Sequence, residues 1–327
     1  MRAAALTASA SFEVVAVPDP SPGDGELVLR VRACGICGSD LKAYRYFPPG
    51  AVLGHEFCGD VVAVGPGAGE WSTGQFAASL PVRSCGRCRW CLGGEPAHCE
   101  RADLLGLGGP GGAFAEYVRV TAATSVPLPP ELGAYGALVE PLSVGLHTVS
   151  AARLRPEDRV LVIGAGNVGM AVTTWASRLG AGEIVVSDPA PARRAGAAAF
   201  GASGVHDPAD GPPSRAFDVV FECAGMPGTV QAAIDAVGVH GRVVVAGVCT
   251  APDLVAHVSA VMKEVDVRYA AYYRTEEFAS AARLVASGAI DPAPFVTRTV
   301  PLGGLGAAFH DLESGSGDRK VLVDPWT

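Results

Sequence analysis

The chain has 327 residues, of which 49% are hydrophobic and 7% aromatic, and its formal net charge is −8. This length accommodates two domains that each bury a core, and the composition is that of an α/β enzyme rather than a disordered chain. The negative charge argues against nucleic acid or an anionic membrane as a partner. The N-terminus lacks a sustained apolar segment and no apolar run is long enough to span a bilayer, so we expect neither a signal peptide nor a membrane anchor.

The first third of the chain has the pattern of a β-rich domain. Short β-branched segments predict strands over residues 28–33 and 61–64, with prolines and glycines between them. The apolar spacing becomes helical over residues 135–150, where Glu140 and Pro141 indicate a helix start.

The middle of the chain alternates between strands and helices. Strands are predicted over residues 159–163, 183–187, 217–223 and 242–246, and helices over 167–179, 190–200 and 229–237. Repeated βα units predict a doubly wound parallel sheet covered on both faces.

Beyond residue 272 the pattern changes again. A helix is predicted over residues 276–287, followed by short segments that end in a strand over 320–323. Weak β character at both ends of the chain predicts that the last segment returns to the first domain. We therefore expect a discontinuous β-rich domain, residues 1–146 and 273–327, into which a parallel-sheet domain, residues 147–272, is inserted.

A glycine fingerprint follows the first strand of the predicted parallel sheet. Gly164, Gly166 and Gly169, with Asn167 and Val168 between them, have the G-x-G-x-x-G spacing and open a helix. The glycines permit a tight turn, close approach of a pyrophosphate and close helix–strand packing, and the helix N-terminus presents free N–H groups to the anion. In this context the motif predicts a dinucleotide site.

Asp188 lies at the end of the second strand, nineteen positions beyond Gly169. A carboxylate there can accept hydrogen bonds from the adenosine ribose and repels a 2′-phosphate, so NAD is favoured over NADP. The alternative is that Asp188 only caps the next helix. Arg193 could also contact the nucleotide, although Arg193 and Arg194 together are more typical of a solvated helix face.

Two groups of residues have the spacing of metal ligands. Cys85, Cys88, Cys91 and Cys99 match a closed tetrahedral zinc site whose role is structural. Cys37, His55 and Glu56 together offer a thiolate, an imidazole and a carboxylate, which suit a zinc ion that keeps one position open. Nine cysteines, most of them at metal spacing, fit a reducing cytoplasm better than a disulfide framework.

In combination and in order, these motifs resemble the zinc-dependent medium-chain dehydrogenases, in the branch of sorbitol, threonine and related polyol dehydrogenases. The resemblance covers nearly the whole chain and includes the final Lys320–Val321. It implies a GroES-like catalytic domain with a Rossmann domain for NAD(H), and two zinc ions per chain. It also implies the catalytic zinc ligands, which are Cys37, His55 and Glu56.

The resemblance further assigns residues around the catalytic zinc. Glu140 matches a carboxylate that ligates the zinc, exchanges with water or contacts substrate, Asp40 resembles a partner that orients His55, and Ser39 resembles the hydroxyl that relays the alcohol proton. For Glu140 the alternative is a carboxylate stabilised by a helix N-terminus, and for Glu56 it is a carboxylate that bonds to backbone. Lys42 stands near the position where many relatives end the relay in histidine, and a lysine lends positive charge but carries protons poorly.

These observations predict hydride transfer between NAD(H) and a secondary alcohol or ketone, of polyol, amino-sugar or cyclitol type. The order of Tyr272, Tyr273 and Arg274 departs from the Arg–Tyr pair of sorbitol dehydrogenases, which weakens the polyol assignment. One alternative is a zinc-supported reductase or redox-neutral enzyme on an unsaturated or imine substrate, and another is a non-catalytic nucleotide-binding protein. The resemblance also implies a homodimer or homotetramer, since members of the family pair through the edge of the nucleotide-domain sheet, here near residues 265–271.

Overall fold

The computed structural model describes residues 1–108 and 111–327, which form two compact units. The first unit comprises Met1–Ser143 and Tyr273–Thr327, and the second comprises Val144–Tyr272. No helix in the described residues combines the length and the apolar character that crossing a membrane requires.

The strands, in chain order, are β1 (Arg2–Leu6), β2 (Phe12–Ala16), β3 (Glu26–Gly35), β4 (Glu56–Val64), β5 (Phe76–Ser79), β6 (Val82–Arg83), β7 (Asp103–Leu104), β8 (Tyr117–Thr121), β9 (Ser125–Pro127), β10 (Arg159–Ile163), β11 (Glu183–Ser187), β12 (Gly204–His206), β13 (Phe217–Glu222), β14 (Val237–Val245), β15 (Asp266–Tyr269), β16 (Val296–Pro301) and β17 (Lys320–Asp324). The α-helices are α1 (Gly38–Ala43), α2 (Arg89–Leu92), α3 (Val139–Ala151), α4 (Asn167–Arg178), α5 (Pro191–Ala195), α6 (Thr229–Ala236), α7 (His257–Lys263), α8 (Thr275–Ala286) and α9 (Leu305–Glu313). Short 3₁₀ helices cover Tyr44–Tyr46, Pro96–His98, Ala122–Thr124, Pro130–Leu138, Ala197–Phe200, Pro208–Asp210, Ala293–Phe295 and Leu302–Gly304.

The first unit is built around a seven-stranded sheet whose longest strand is β3. The order is β16-β17-β3-β4-β5-β9, and β8 also pairs with β3. Strand β4 pairs along β3 over most of its length, β8 pairs with the half that begins at Glu26, and β17 pairs with its last two residues, Cys34 and Gly35. The end of β3 therefore lies between β4 and β17.

Apolar side chains on β3 and its neighbours form the core of this unit. Leu27, Leu29 and Val31 on β3 are fully buried, as are Val321 and Val323 on β17. Alternate residues of a strand point to opposite faces, so one face of β17 is committed to this core. The last strand is thus an integral part of the first unit.

The second unit contains a six-stranded parallel sheet in the order β12-β11-β10-β13-β14-β15. Numbered within the unit this is 3-2-1-4-5-6, the strand order of a Rossmann sheet. The expectation of a parallel sheet is confirmed. The order reverses between β10 and β13, and ligands of such sheets bind outside the carboxyl ends of the strands at that point.

Two element predictions in this unit are wrong in detail. The continuous helix expected over residues 190–200 is interrupted at Gly196, where α5 ends and a short 3₁₀ helix over Ala197–Phe200 begins. The strand expected over residues 242–246 begins earlier, at Val237, because the chain leaves α6 directly in extended conformation. The spacing of apolar residues indicates neither the break at Gly196 nor the early start of β14.

Candidate active site and metal centres

Pairing between β3 and β4 brings the first candidate metal cluster together. Gly35 lies opposite Glu56 in the antiparallel register, and Cys37 follows β3 by two residues at the start of α1. The ligand atoms of Cys37, His55 and Glu56 all lie within 4.8 Å of one another. Sulfur, nitrogen and oxygen donors at this separation suit a zinc ion that keeps an open position.

A buried polar atom without a partner supports the fit of a cation. His55 and Glu56 are 4% and 1% exposed, and Glu56 Oε1 makes no hydrogen bond within the described residues. Unsatisfied buried polar atoms are costly, and a metal ion is one of the ways in which such a cost is offset. Burial lowers the pKa of His55, but the charges of Asp40 and Cys37 outweigh it and raise that pKa well above its usual value.

Asp40 is placed to orient two of the candidate ligands, Cys37 and His55. It is fully buried, its Oδ2 accepts a hydrogen bond of 2.9 Å from the Cys37 N–H, and its Oδ1 lies 3.3 Å from His55 Nδ1. A carboxylate against the ring nitrogen of a metal-ligating histidine fixes the tautomer and orientation of the ring. Ser39 Oγ lies 3.5 Å from the other ring nitrogen, Nε2, and Lys42 is half-buried in the last turn of the same helix.

An ion pair that the sequence did not predict holds Glu56. Lys320 Nζ pairs with Glu56 Oε2 and donates to the Ile36 carbonyl at 2.8 Å, and the side chains of Lys320 and Glu56 are each 1% exposed. Burial lowers the pKa of Lys320, but the charges of Glu56 and Cys37 outweigh it and raise that pKa. A Cβ at Gly35 would lie 2.1 Å from Glu56 Oε2 and 3.1 Å from Lys320 Cδ, so this pair requires glycine there. The motif around Lys320 was visible in the sequence, but its partner 264 residues away was not.

Glu140 lies near this cluster without being a member of it. It is buried in the first turn of α3, and burial raises its pKa to about 7, against the opposing charge of His55. The charge of Glu56 raises the pKa further. Burial and the charge of Glu140 in turn raise the pKa of Tyr273 well above its usual value. Sequence reasoning considered Tyr273 only as part of a substrate motif and missed this effect of Glu140 on its pKa.

The four cysteines of the second cluster lie around α2. The Sγ atoms of Cys85, Cys88, Cys91 and Cys99 all lie within 4.8 Å of one another, with Cys91 Sγ 3.9 Å from Cys85 Sγ and 3.5 Å from Cys88 Sγ. Tetrahedral zinc with bonds of about 2.3 Å places its sulfur ligands about 3.8 Å apart. Hydrogen bonds from the N–H groups of Arg87 and Cys88 lower the pKa of Cys85 to about 6, which favours the thiolate that binds metal. The donor set and its spacing fit a closed zinc site.

The glycine loop of the second unit has the close packing expected of a dinucleotide fingerprint. Gly164 has φ of +101°, and a Cβ at Gly169 would lie 1.8 Å from the Gly164 carbonyl oxygen. A Cβ at Gly166, by contrast, would meet nothing within 4 Å. Helix α4 begins at Asn167, whose side-chain amide atoms are buried and have no hydrogen-bond partner among the described residues, and Val168 follows in its first turn. Such a helix N-terminus can bind an anion, and the space beside Gly166 has room for a phosphate.

Asp188 braces the same loop. Its buried carboxylate accepts hydrogen bonds of 2.8 Å from the N–H groups of Ala165 and Ala190, so it contacts both the glycine loop and the start of the next helix. Arg194 was expected on a solvated helix face, and this is wrong: its side chain is 14% exposed, donates to the Asp188 carbonyl and pairs with Asp207 at 2.6 Å. Arg193 is half-buried, and its Nε has no hydrogen-bond partner in the described chain.

Comparison with known proteins gives the family. The signature of the alcohol dehydrogenase GroES-like domain matches residues 23–130, and that of the zinc-binding dehydrogenases matches residues 167–287. Among the similar proteins, 2-dehydro-3-deoxy-L-galactonate 5-dehydrogenase of Pseudoalteromonas atlantica is 32% identical over 99% of this chain and 98% of its own length. Sorbitol dehydrogenase of Bacillus subtilis is 29% identical over 91% of this chain and 89% of its own.

A solved structure extends the likeness to the fold. The zinc-binding dehydrogenase of Sinorhizobium meliloti, whose crystal structure has NADP bound, superimposes with a TM-score of 0.91 at 30% identity over 99% of both chains. The expected fold class, a GroES-like β-rich domain with a Rossmann-type domain, is confirmed. By its two family signatures and its full-length relatives, the chain belongs to the zinc-dependent medium-chain dehydrogenases, in their sorbitol and threonine dehydrogenase-like branch.

Proposed function

We propose that the chain is a zinc-dependent oxidoreductase that transfers a hydride between NAD(H) and a secondary alcohol or its ketone. The observation that carries this proposal is the juxtaposition of three different donor atoms in Cys37, His55 and Glu56, because such a set binds zinc and leaves a position for substrate. The sugar-acid and polyol dehydrogenases among its relatives support a polyhydroxylated substrate. Amino-sugar and cyclitol substrates share the same secondary alcohol and remain in the proposed class.

In this proposal Cys37, His55 and Glu56 hold the catalytic zinc, and the four-cysteine cluster holds a structural one. The catalytic ion would supply Lewis-acid polarisation of an alcohol or carbonyl oxygen. Asp40 keeps the His55 ring in the orientation that ligation requires. Lys320 pairs with Oε2 of Glu56, and Oε1 has no competing partner in the part of the chain that the structure describes.

The alcohol proton needs a path away from the reacting oxygen, and we assign its first step to Ser39. The Ser39 hydroxyl lies beside His55 and can accept one proton while it donates another. Lys42, one turn further along α1, lends positive charge to this path. Glu140, with a pKa of about 7, can hold or release a proton near neutral pH, which is the property of an efficient general acid or base.

The nucleotide is assigned to the glycine loop and Asp188. The diphosphate would bind at the N-terminus of α4 beside Gly166, and the nicotinamide ring would supply the hydride acceptor. NAD is proposed over NADP because the Asp188 carboxylate repels a 2′-phosphate. NADP binding would require Arg193 to attract that phosphate more strongly than Asp188 repels it. The ratio of kcat/KM for NAD⁺ to that for NADP⁺ tests this choice directly.

The proposed reaction is tested by NAD⁺ reduction with a panel of polyols, sugar acids, amino alcohols and cyclitols, together with zinc analysis. We expect about two zinc ions per chain, and in Cys37→Ser the loss of about one zinc and at least a hundredfold in kcat/KM. Cys249→Ser, in the other unit, is the matched control and should change neither. NAD⁺ reduction that survives in C37S without its zinc would contradict the zinc mechanism. A chain with one zinc and no turnover would favour a non-catalytic nucleotide-binding protein.

We also propose that the chain assembles through β15. This strand pairs only with β14 among the described residues, and all four of its residues, Asp266–Tyr269, are exposed. An unpaired strand edge is a template for pairing with a second copy. Light scattering after size-exclusion chromatography distinguishes the monomer from the proposed dimer or tetramer.

We also propose a cytoplasmic location, because the free thiols must stay reduced in order to bind metal.

A further inference from the structure

A buried carboxylate lies at the end of β13, where the strand order of the parallel sheet reverses. Glu222 is the last residue of β13, lies opposite Ile163 at the end of β10 and is 1% exposed. Its Oε1 accepts hydrogen bonds of 2.8 Å from the Ala224 N–H and 2.7 Å from the Gly225 N–H. The side chain therefore shapes the turn that follows its own strand, residues 223–225.

This turn packs against the glycine loop. The Cys223 N–H donates to the Ile163 carbonyl at 2.8 Å, which extends the hydrogen bonding between β10 and β13 beyond Glu222. A Cβ at Gly164 would lie 3.0 Å from the Ala224 nitrogen and 3.1 Å from its Cα. The first glycine of the fingerprint is therefore packed closely on the turn that Glu222 holds.

Glu222 also fixes the loop that follows β14. Its backbone carbonyl accepts hydrogen bonds from the N–H groups of Ala246 and Gly247, at 2.8 and 2.9 Å. A Cβ at Gly247 would lie 2.5 Å from Glu222 Oε2 and 2.2 Å from the Gly225 nitrogen, so this packing requires glycine. The segments that leave β10, β13 and β14 thus meet around one buried residue.

The other half of the sheet has a separate brace. The Asp188 carboxylate accepts from the Ala165 N–H, and the Gly164 N–H donates to the Ser187 carbonyl at 2.7 Å, so the end of β11 holds the glycine loop independently of Glu222. A Rossmann sheet consists of two mononucleotide-binding halves, and the dinucleotide lies across the crevice between them. Asp188 assigns the adenosine to its own half. The half that begins with β13, which we call the nicotinamide half, is left for the second mononucleotide.

We propose that Glu222 is a positioning residue for nucleotide binding, which holds residues 223–225 and the loop after β14 in the shape that receives the nicotinamide mononucleotide. This inference rests on the proposed nucleotide site. An ionised acceptor forms stronger hydrogen bonds than a neutral one, and here one carboxylate oxygen accepts two of them. A preorganised loop loses less conformational entropy when a ligand binds, so its shape contributes to affinity.

The test compares Glu222→Ala with Asp158→Ala. Asp158 is also a buried carboxylate of this unit, but it precedes β10 and so lies at the opposite end of the parallel strands. It accepts a hydrogen bond of 2.6 Å from the Arg155 N–H and pairs with Arg242 at 2.7 Å. Its loss should therefore destabilise the unit without changing the crevice.

Calorimetry with AMP and with NADH separates the two halves of the nucleotide site. We expect E222A to weaken NADH binding about tenfold and to leave AMP binding within about twofold. D158A should leave both affinities within about twofold, whereas Asp188→Ala should weaken both about tenfold.

Two further variants test how Glu222 acts. Glu222→Gln keeps an oxygen that can accept both N–H groups, so its NADH affinity should stay within about threefold of that of the unmodified chain. Gly247→Ala should reproduce the E222A pattern because its Cβ would displace Gly225, and it serves if E222A does not fold. Hydrogen exchange gives a readout without ligand: the amides of residues 224 and 225 should exchange faster in E222A and at the unmodified rate in D158A.

The outcomes separate this inference from the proposed function. If E222A loses AMP affinity as much as NADH affinity, or binds NADH as well as D158A does, the role in the nicotinamide half is overturned. NADH binding in E222Q that is as weak as in E222A would overturn the hydrogen-bond account, as would unchanged exchange at residues 224 and 225 in E222A. If the unmodified chain binds neither AMP nor NADH, the proposed nucleotide site itself fails, and this inference fails with it.

Discussion

The buried ion pair between Lys320 and Glu56 allows a quantitative prediction. Lys320→Met keeps most of the side-chain volume and removes the charge, so Glu56 is left as an uncompensated carboxylate that is 1% exposed. Removing one partner of a buried ion pair costs about 3–5 kcal/mol. For a unit of this size such a loss lowers the melting temperature by roughly 6–20 °C. We therefore expect K320M to be among the most destabilising single changes in the first unit.

The assay is thermal and denaturant unfolding of metal-free protein, so that no bound cation compensates Glu56. Lys263→Met is the matched control, because among the described residues Lys263 Nζ donates to carbonyl oxygens, those of Ile234, Asp235 and Val237, and to no carboxylate. Loss of these charge-assisted hydrogen bonds, which leaves no buried charge unpaired, should cost about 1.5–3 kcal/mol. The double variant E56Q/K320M should recover most of the stability that K320M loses, since replacing both members of a buried pair is often neutral. The reasoning is refuted if K320M is no less stable than K263M, or if the double variant is as unstable as the single one.

Three further predictions follow from the structure. Cys88→Ser should lower the zinc content from about two ions per chain to about one while the nucleotide still binds, as measured by metal analysis and NADH fluorescence; retention of both ions would contradict the assignment. Folding raises the pKa of Glu140 from its unfolded value of 4.5 to about 7, so the unmodified chain should lose stability as pH rises through that window, by about 3 kcal/mol in total. Glu140→Gln should remove this loss. Denaturant unfolding of both proteins at a series of pH values is the measurement, and the same pH dependence of the unfolding free energy in both would contradict the prediction. Gly166→Ala should change the free energy of unfolding by no more than about 0.5 kcal/mol and weaken NADH binding about tenfold. Gly169→Ala should unfold more easily, because its Cβ would lie 1.8 Å from the Gly164 carbonyl oxygen. If the two variants had the same stability and the same NADH affinity, the prediction would be contradicted.

Sequence reasoning succeeded where the determinants are local. The glycine fingerprint and the first strands of the parallel sheet are written in consecutive residues, and the family and fold class are confirmed. The proposed metal sites were also found from spacing, because Cys85, Cys88 and Cys91 lie within one short segment, and their assignment to zinc stays a prediction.

What the sequence could not supply are contacts between distant segments. The partner of Glu56 is Lys320, which the pairing of β17 with β3 brings to it, and no local pattern encodes that approach. The prediction for Arg194 was wrong because helical periodicity indicates which face of a helix is polar, but not that Asp207, on a neighbouring segment, pairs with this side chain. The effect of the Glu140 charge on the pKa of Tyr273 likewise depends on the return of the chain to the first unit.

The placement of β17 has a consequence for the order in which the chain matures during synthesis. The second unit, Val144–Tyr272, is contiguous and can fold as soon as it has left the ribosome. The first unit must wait, because β17 supplies both Lys320 and the strand that borders the end of β3 beside Gly35. Until residues 320–324 emerge, Glu56 has no counter-charge and the sheet next to it is open. The proposed catalytic half of the enzyme is thus the last to be completed, although most of its residues are the first to be made.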